Sequence, residues 1–501
     1  MSSIKINVIV NYIGRFWTAL IAILLIPIYI KFIGIEAYGL VGFFTILSSV
    51  MGILDLGIGS TMNRELARRS VTPSTADSQR DLVRTLELVY WGIAILAGTI
   101  VLIGAPLIAH KWIHTENLNP DSVLLAVQLM AISVALRFPS SLYQGGLMGL
   151  HKQVLVNSIL AINGTLRGFG AVLVLWFISP TIEAFFIWQV IISLLDSLAF
   201  FIAMWASLPK SEVKSKFRFN IIKDIWRYAA AISANALIGV VLSQLDKVIL
   251  SKMLSLKMFA YYTIAATVAS SIWMIIIPFN NALFPSLVKL FEEKKIEELK
   301  KLFHDSSQIL SFLLLPLSFV LIFFSKEILL LWMHNQAIAE NSYLILSFLV
   351  IGTALNGLVS LPANCAPAFG WPMLITYTNL LQAIAIIPLI VGMVYWKQGI
   401  GASIAWIILN STYIIFMVPF FFRRYLLSEQ KKWYLKDILL PTIVAFSICA
   451  FSKIIVPAMD SKIAIVSWII MTWGITVLLS GLSLLHVRNI AKKQLNIIFK
   501  I

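Results

Sequence analysis

Charge is scarce in this sequence. Asp, Glu, Lys and Arg make up 12 % of its 501 residues, about half the share usual in soluble domains. That excludes the solvated surface a water-soluble protein of this length would need. Cysteine is nearly absent. Cys365 and Cys449 lie far apart inside apolar segments, which excludes a disulfide framework and a cysteine metal pair, and leaves two small core hydrophobes. No Gly-Lys dipeptide occurs, so there is no phosphate loop and no ATPase of the chain's own. Gly-x-Ser-x-Gly is missing, and the six histidines show no zinc spacing.

What the chain has in excess is apolar length. Fifty-nine per cent of it is hydrophobic, more than a single core can hide, so lipid must be its main solvent. About 20 apolar residues of helix cross a bilayer, and helix satisfies its own backbone groups in lipid. Fourteen such windows occur, roughly 8–30, 38–60, 84–109, 122–149, 154–178, 182–207, 226–250, 258–283, 306–330, 342–369, 373–396, 400–422, 438–458 and 463–486. The opening MSSIKINVIV leads into the first of them with no small-residue cleavage site, and reads as a retained span.

The formal charge of +16 is distributed as membrane topology requires, not as nucleic-acid binding would. Loops on one side of the predicted spans carry 27 Lys and Arg, those on the other side 6. The basic side is cytoplasmic, and an even number of spans places both termini there. The outward loops are short, the longest near 110–121 and 331–341, which leaves no room for an extracytoplasmic catalytic domain. Segment 285–305 predicts an amphipathic surface helix, with Leu287, Phe291, Leu299 and Phe303 toward the interface and Glu297 paired with Lys301.

An internal repeat sets the organisation. Lys31-Phe-Ile-Gly-Ile-Glu-Ala-Tyr38-Gly-Leu is similar to Lys252-Met-Leu-Ser-Leu-Lys-Met-Phe259-Ala-Tyr, six spans later. Both halves then insert the same way up. The expected fold class is an all-α membrane protein of about 14 transmembrane helices, with two pseudo-symmetric six-helix lobes plus two C-terminal helices. The expected domains are an N-terminal lobe over 1–207, a basic cytoplasmic linker over 208–225, a C-terminal lobe over 226–422, and the added helices with a tail over 423–501.

Ionisable groups inside spans are costly and mark functional sites. Arg15, Arg137 and Arg167 all fall in the first half, and three guanidiniums facing one cavity suit an anion such as phosphate. Lys247 is a further candidate substrate ligand. Asn11, Asp55, Asp196, Asp246, Asn280 and Asn356 are candidate cavity-lining or coupling groups, and an acid such as Asp196 would neutralise the empty site.

Several motifs then suggest a family. Asn11-Tyr-Ile-Gly14, Pro27-Ile-Tyr, Gly34-Ile-Glu-Ala-Tyr38-Gly39-Leu, Asp55-Leu-Gly57-Ile-Gly59 and Asn63-Arg64-Glu-Leu-Ala-Arg68 resemble the polysaccharide flippases of the multidrug/oligosaccharidyl-lipid/polysaccharide exporter superfamily. Asp246-Lys-Val-Ile-Leu, Phe259-Ala-Tyr and Pro278 with Ala282-Leu-Phe-Pro285 resemble its second half; Met258 stands where the family has glycine. The resemblance implies two lobes around a cationic cavity. It also implies alternating-access flipping of an undecaprenyl-pyrophosphate-linked oligosaccharide, such as an O-antigen unit for lipopolysaccharide biosynthesis, in a bacterial inner membrane. Membrane lipid would be a partner, with a polysaccharide polymerase and a chain-length regulator as candidate partners, H+ or Na+ as candidate coupling ions, and no cofactor, metal or nucleic acid. The competing readings are a cation-coupled drug or metabolite antiporter of the same superfamily, a lipid II flippase, and a membrane-embedded polysaccharide polymerase or ligase.

Overall fold

The computed structural model describes residues 17–18, 20–55, 57–71, 76–456 and 461–489, less the side chains of 71, 224, 226–238 and 240–241. Among them the chain is helical almost throughout, with one isolated bridge between His114 and Ser255 and no strand. Eleven helical stretches are long and apolar enough to cross a membrane. Two of the eleven hold two helices each across a backbone break, at Gly34 and at Lys397–Gln398. The further helix Phe219–Met253 is 35 residues long. Together these account for the fourteen predicted spans, the first of which, 8–30, is described over 17–18 and 20–30. Cys365 and Cys449 are free and buried.

The chain divides into two compact units, Met1–Ala260 and Tyr261–Ile501. The first holds α1 (Ile26–Ile53), α2 (Ile58–Val71), α3 (Ala76–Leu107), α4 (Pro120–Arg137), α5 (Pro139–Gly149), α6 (Gln153–Phe177), α7 (Ile182–Ser207), α8 (Phe219–Met253) and the start of α9 (Leu256–Ser270). The second holds the rest of α9, α10 (Trp273–Glu292), α11 (Ile296–Phe323), α12 (Ser325–Met333), α13 (Gln336–Ala368), α14 (Met373–Thr412), α15 (Val418–Tyr425), α16 (Leu440–Ile454) and α17 (Lys462–Ser483).

Both copies of the repeat are turns between helices. Gly34 adopts φ 82°, a conformation open to glycine without steric cost. In the second copy α8 ends at Met253 and α9 begins at Leu256. Segment 108–119 ties the two turns together. Its Asn117 N–H donates to Glu36 Oε2 at 3.0 Å, its His114 carbonyl accepts from Leu256 N–H at 2.8 Å, and Trp112 Nε1 donates to Ser251 Oγ at 3.0 Å.

Between α7 and α8, residues 208–218 run without helix along α3. Lys216 N–H donates to Asp81 Oδ1 at 2.6 Å, Arg218 N–H to Thr85 Oγ1 at 3.0 Å, and Ser211 to Asp77. Acids on α3 therefore hold the basic segment down. Helix resumes at Phe219.

The surface helix predicted over 285–305 is not there. α10 and α11 instead continue as extensions of two spans, joined by the turn Glu293–Lys295. Lys294 takes φ 54°, while Lys295 N–H bonds Leu290 O at 3.1 Å and closes the helix end. Leu287, Leu299 and Phe303 are buried, and Phe291 stacks on Phe369 at 4.6 Å. The apolar stripe meets protein rather than lipid, and Glu297 pairs with Lys300, not Lys301, at 2.7 Å.

A polar knot fixes the end of α11 to the segment before α16. His304 lies between Asp437, bonded at Nδ1, and Glu429, 3.0 Å from Nε2. Gln308 Nε2 donates to Asp437 Oδ1 at 2.9 Å, and the Asp437 and His304 side chains are 0 and 4 % exposed. Removing one member of such a buried pair costs about 3–5 kcal/mol. His304→Ala is therefore expected to lower the melting temperature of the purified protein sharply. His304→Gln combined with Asp437→Asn should recover most of the loss; an unchanged melt in His304→Ala would show that the knot contributes nothing.

Candidate functional site

The first unit contains a cavity of about 470 Å³, within the range usual for small-molecule sites. α1 contributes Ser48, Met51 and Gly52, and the break after it contributes Asp55. Val134 and Arg137 come from the end of α4, Phe138 from the junction, and Ser140, Ser141 and Gln144 from α5.

Both charged groups stand at interruptions of helix, for reasons present in the sequence. Asp55 lies in the turn between α1 and α2, where Gly57 adopts φ 65°. Arg137 closes α4 because Pro139 has no N–H to continue the ladder. The two interruptions face each other because α2 and α5 pack backbone to backbone. A Cβ at Gly145 would stand 2.3 Å from Gly59 O, and one at Gly149 would stand 2.4 Å from Asn63 O. Small residues four apart permit this approach between membrane helices.

Arg137 is anchored at one end and open at the other. Its Nε lies 3.7 Å from Asp196 Oδ2, its side chain is 46 % exposed, and among the described residues neither terminal nitrogen makes a hydrogen bond. Asp196 is buried on α7, where its Oδ1 accepts from Asn163 Nδ2 at 2.6 Å. The planar fork, which suits a phosphate bidentately, is thus held toward the cavity.

Arg167 is placed differently. Its Nη1 donates to Gln189 Oε1 at 3.0 Å and its Nη2 reaches Ser193 Oγ at 3.5 Å. Ser193 in turn meets Ser133 Oγ at 2.8 Å. Arg167 is itself largely withdrawn from solvent, and Asp196 pairs with Arg137, not with Arg167. Arg167 therefore belongs to the scaffold behind the cavity and is not among the lining residues. Asp55 Oδ1 accepts from Tyr90 OH and from Ser141 Oγ, the latter at 3.4 Å. Tyr90 is itself buried and stacked on Phe138 at 4.9 Å.

The other predicted residues are dispersed. Arg15 and Asn11 lie outside the described residues. Asp246 and Lys247 are half-buried on α8, with Lys247 Nζ 3.3 Å from Gln244 Oε1. Asn280 and Asn356 belong to the second unit. There Asn356 Nδ2 donates to Asn410 Oδ1 at 2.5 Å, and the Asn280 carbonyl accepts from Asn364 at 3.2 Å. Reading for charge missed Tyr90, Gln189 and Ser193. They are uncharged polar groups in apolar helices; Gln189 and Ser193 stand at helical spacing from Asp196 on α7, and Tyr90 gives no such signal.

The cavity thus sets a guanidinium and a carboxylate, Arg137 and Asp55, together in a helical membrane scaffold. Residues 4–291 match the family model described as "Polysaccharide biosynthesis protein", and residues 231–391 match MatE. The chain belongs to the polysaccharide biosynthesis protein family. It is 24 % identical over 410 residues to the "Putative O-antigen transporter" of Shigella flexneri, covering 81 % of this chain and 94 % of that protein. Its fold is similar to that of the lipid II flippase MurJ in an inward closed conformation, with TM-score 0.69, 14 % identity, and 95 and 98 % of the two chains covered. An inward-facing multidrug resistance MATE transporter matches with TM-score 0.63, 14 % identity, and 83 and 96 % covered. The chain is a multi-pass helical membrane protein with the fold that these two transporters share.

Proposed function

We propose that this protein flips an undecaprenyl-pyrophosphate-linked oligosaccharide, an O-antigen or related surface-polysaccharide unit, from the cytoplasmic to the outer leaflet of a bacterial inner membrane. The observation that carries this reading is Arg137, which lines the cavity, pairs with Asp196 through Nε, and among the described residues has no hydrogen bond at either terminal nitrogen. A diphosphate is the part of such a substrate that needs a guanidinium fork. The family and the Shigella flexneri relative support the sugar part. The excess of Lys and Arg on one side of the spans supports cytoplasmic termini.

The mechanism proposed is alternating access. The headgroup enters from the cytoplasm and its diphosphate displaces the weak Asp196 contact at Arg137. The polyprenyl tail stays in lipid while the sugar crosses. Counter-movement of H+ or Na+ supplies the drive, and the released unit passes to a polymerase with its chain-length regulator.

The test is reconstitution in liposomes with a labelled polyprenyl-diphosphate oligosaccharide, following access of an impermeant reagent to the label under imposed pH or Na+ gradients. Protein-dependent transfer is the expected result. Transfer of lipid II alone, or gradient-driven efflux of an organic cation with no lipid transfer, would replace this reading.

A further inference from the structure

We propose that Asp55 is a specificity determinant that admits the lipid carrier only when a sugar is attached, by reading a donor group on the sugar nearest the diphosphate. This inference rests on the proposed function, since it takes the Arg137 ligand to be a diphosphate.

Two groups of the cavity, Asp55 and Arg137, keep hydrogen-bonding capacity that the described residues do not use. Tyr90 OH and Ser141 Oγ both approach the same carboxylate oxygen, Asp55 Oδ1. They orient the group at the helix break and leave Oδ2 without a hydrogen bond among the described residues. Arg137, in the same cavity, has its fork equally uncommitted. An ionised carboxylate only accepts, and a guanidinium only donates. A ligand that satisfies both must carry an anion and a hydrogen-bond donor on one compact, rigid body.

A sugar with a phosphate on its anomeric carbon is such a body, because the adjacent ring carbon bears a hydroxyl or an acylamino N–H. Phe138, braced from behind by Tyr90, supplies an apolar wall for the ring, and Gln144 and Ser48 supply further polar groups. The bare carrier diphosphate satisfies Arg137 but sets its remaining negative charge against Asp55 with no donor between them. Specificity of this kind uses repulsion of the wrong ligand as well as attraction of the right one. A flippase needs it, because sugar-free carrier is present in the same membrane and would occupy the site without transport of sugar.

The purified full-length protein would be titrated with two soluble probes, a short-chain isoprenyl diphosphate and the same diphosphate carrying one N-acetylhexosamine. The wild type should bind the glycosylated probe about tenfold or more tightly than the bare one, the range of a hydrogen bond to a charged group. Asp55→Asn is isosteric and should bind the bare probe more tightly than the wild type does, collapsing the ratio toward one. Tyr90→Phe, which leaves the carboxylate in place but loosens it, should reduce the ratio partway, and it keeps the test open if Asp55→Asn folds poorly. Equal binding of both probes by the wild type, or an unchanged ratio in both variants, would overturn the proposal. So would an Asp55→Asn protein that keeps its ratio and loses only its response to a pH or Na+ gradient, since Asp55 would then be a coupling site. Failure of the wild type to bind either probe would instead remove the diphosphate reading itself.

Discussion

Arg137→Ala is expected to reduce transfer of the lipid-linked sugar by about a hundredfold or more while the protein folds and melts close to the wild type. The two halves of that expectation have separate grounds. Structurally, Arg137 is nearly half exposed and its one ion pair is long, 3.7 Å, while the buried Asp196 keeps its hydrogen bond from Asn163 when Arg137 is removed. Functionally, two charge-assisted hydrogen bonds to a phosphate at about 1.5–3 kcal/mol each would be lost, and 1.4 kcal/mol is a factor of ten. Arg137→Lys keeps the charge without the planar fork and should retain an intermediate rate. Vesicle transfer rates over a range of substrate, alongside melting curves, provide the check. Normal transfer by well-folded Arg137→Ala would remove the central ligand of the proposed site.

Asp196→Asn should fail in the opposite way, through stability. Asp196 is buried, bonded to Asn163, paired with Arg137, and supplies a negative charge near Arg167. Without it Arg137 loses its ion pair and Arg167 the nearby negative charge, and an uncompensated buried charge costs about 3–5 kcal/mol. Folded yield and melting temperature should fall together. Arg167→Gln in the same chain removes the surplus cation, and the double variant should be more stable than Asp196→Asn alone. Such non-additivity is the signature of direct coupling. Purely additive losses would mean that Asp196 does not balance the arginines.

Charge was legible because it is rare here. Each ionisable residue in an apolar window stands out against its neighbours, so Arg137, Asp55 and Asp196 could be named from the sequence. Their roles were not legible. Arg137 and Arg167 look equivalent as intramembrane arginines, yet Arg137 keeps its fork free while Gln189 and Ser193 engage that of Arg167. That difference depends on which side chains of α7 face α6, a packing outcome no single-helix pattern contains. Segment 285–305 shows the same limit. Its apolar stripe was correctly read as amphipathic, but periodicity does not say whether lipid or protein covers it, and here Phe369 and the core around Phe303 do.

The sequence alone determined the solvent, the helical class and the number of crossings, and it predicts their orientation. These follow from the length of apolar runs and the placement of Lys and Arg, and both are properties of local composition acting against a bilayer. Only the tertiary structure decided where a site forms. The Gly145 and Gly149 contacts with α2 bring the break at Asp55 to the break at Arg137. The distance between two helix interruptions is set by how closely two backbones can pack, not by either segment's own preference.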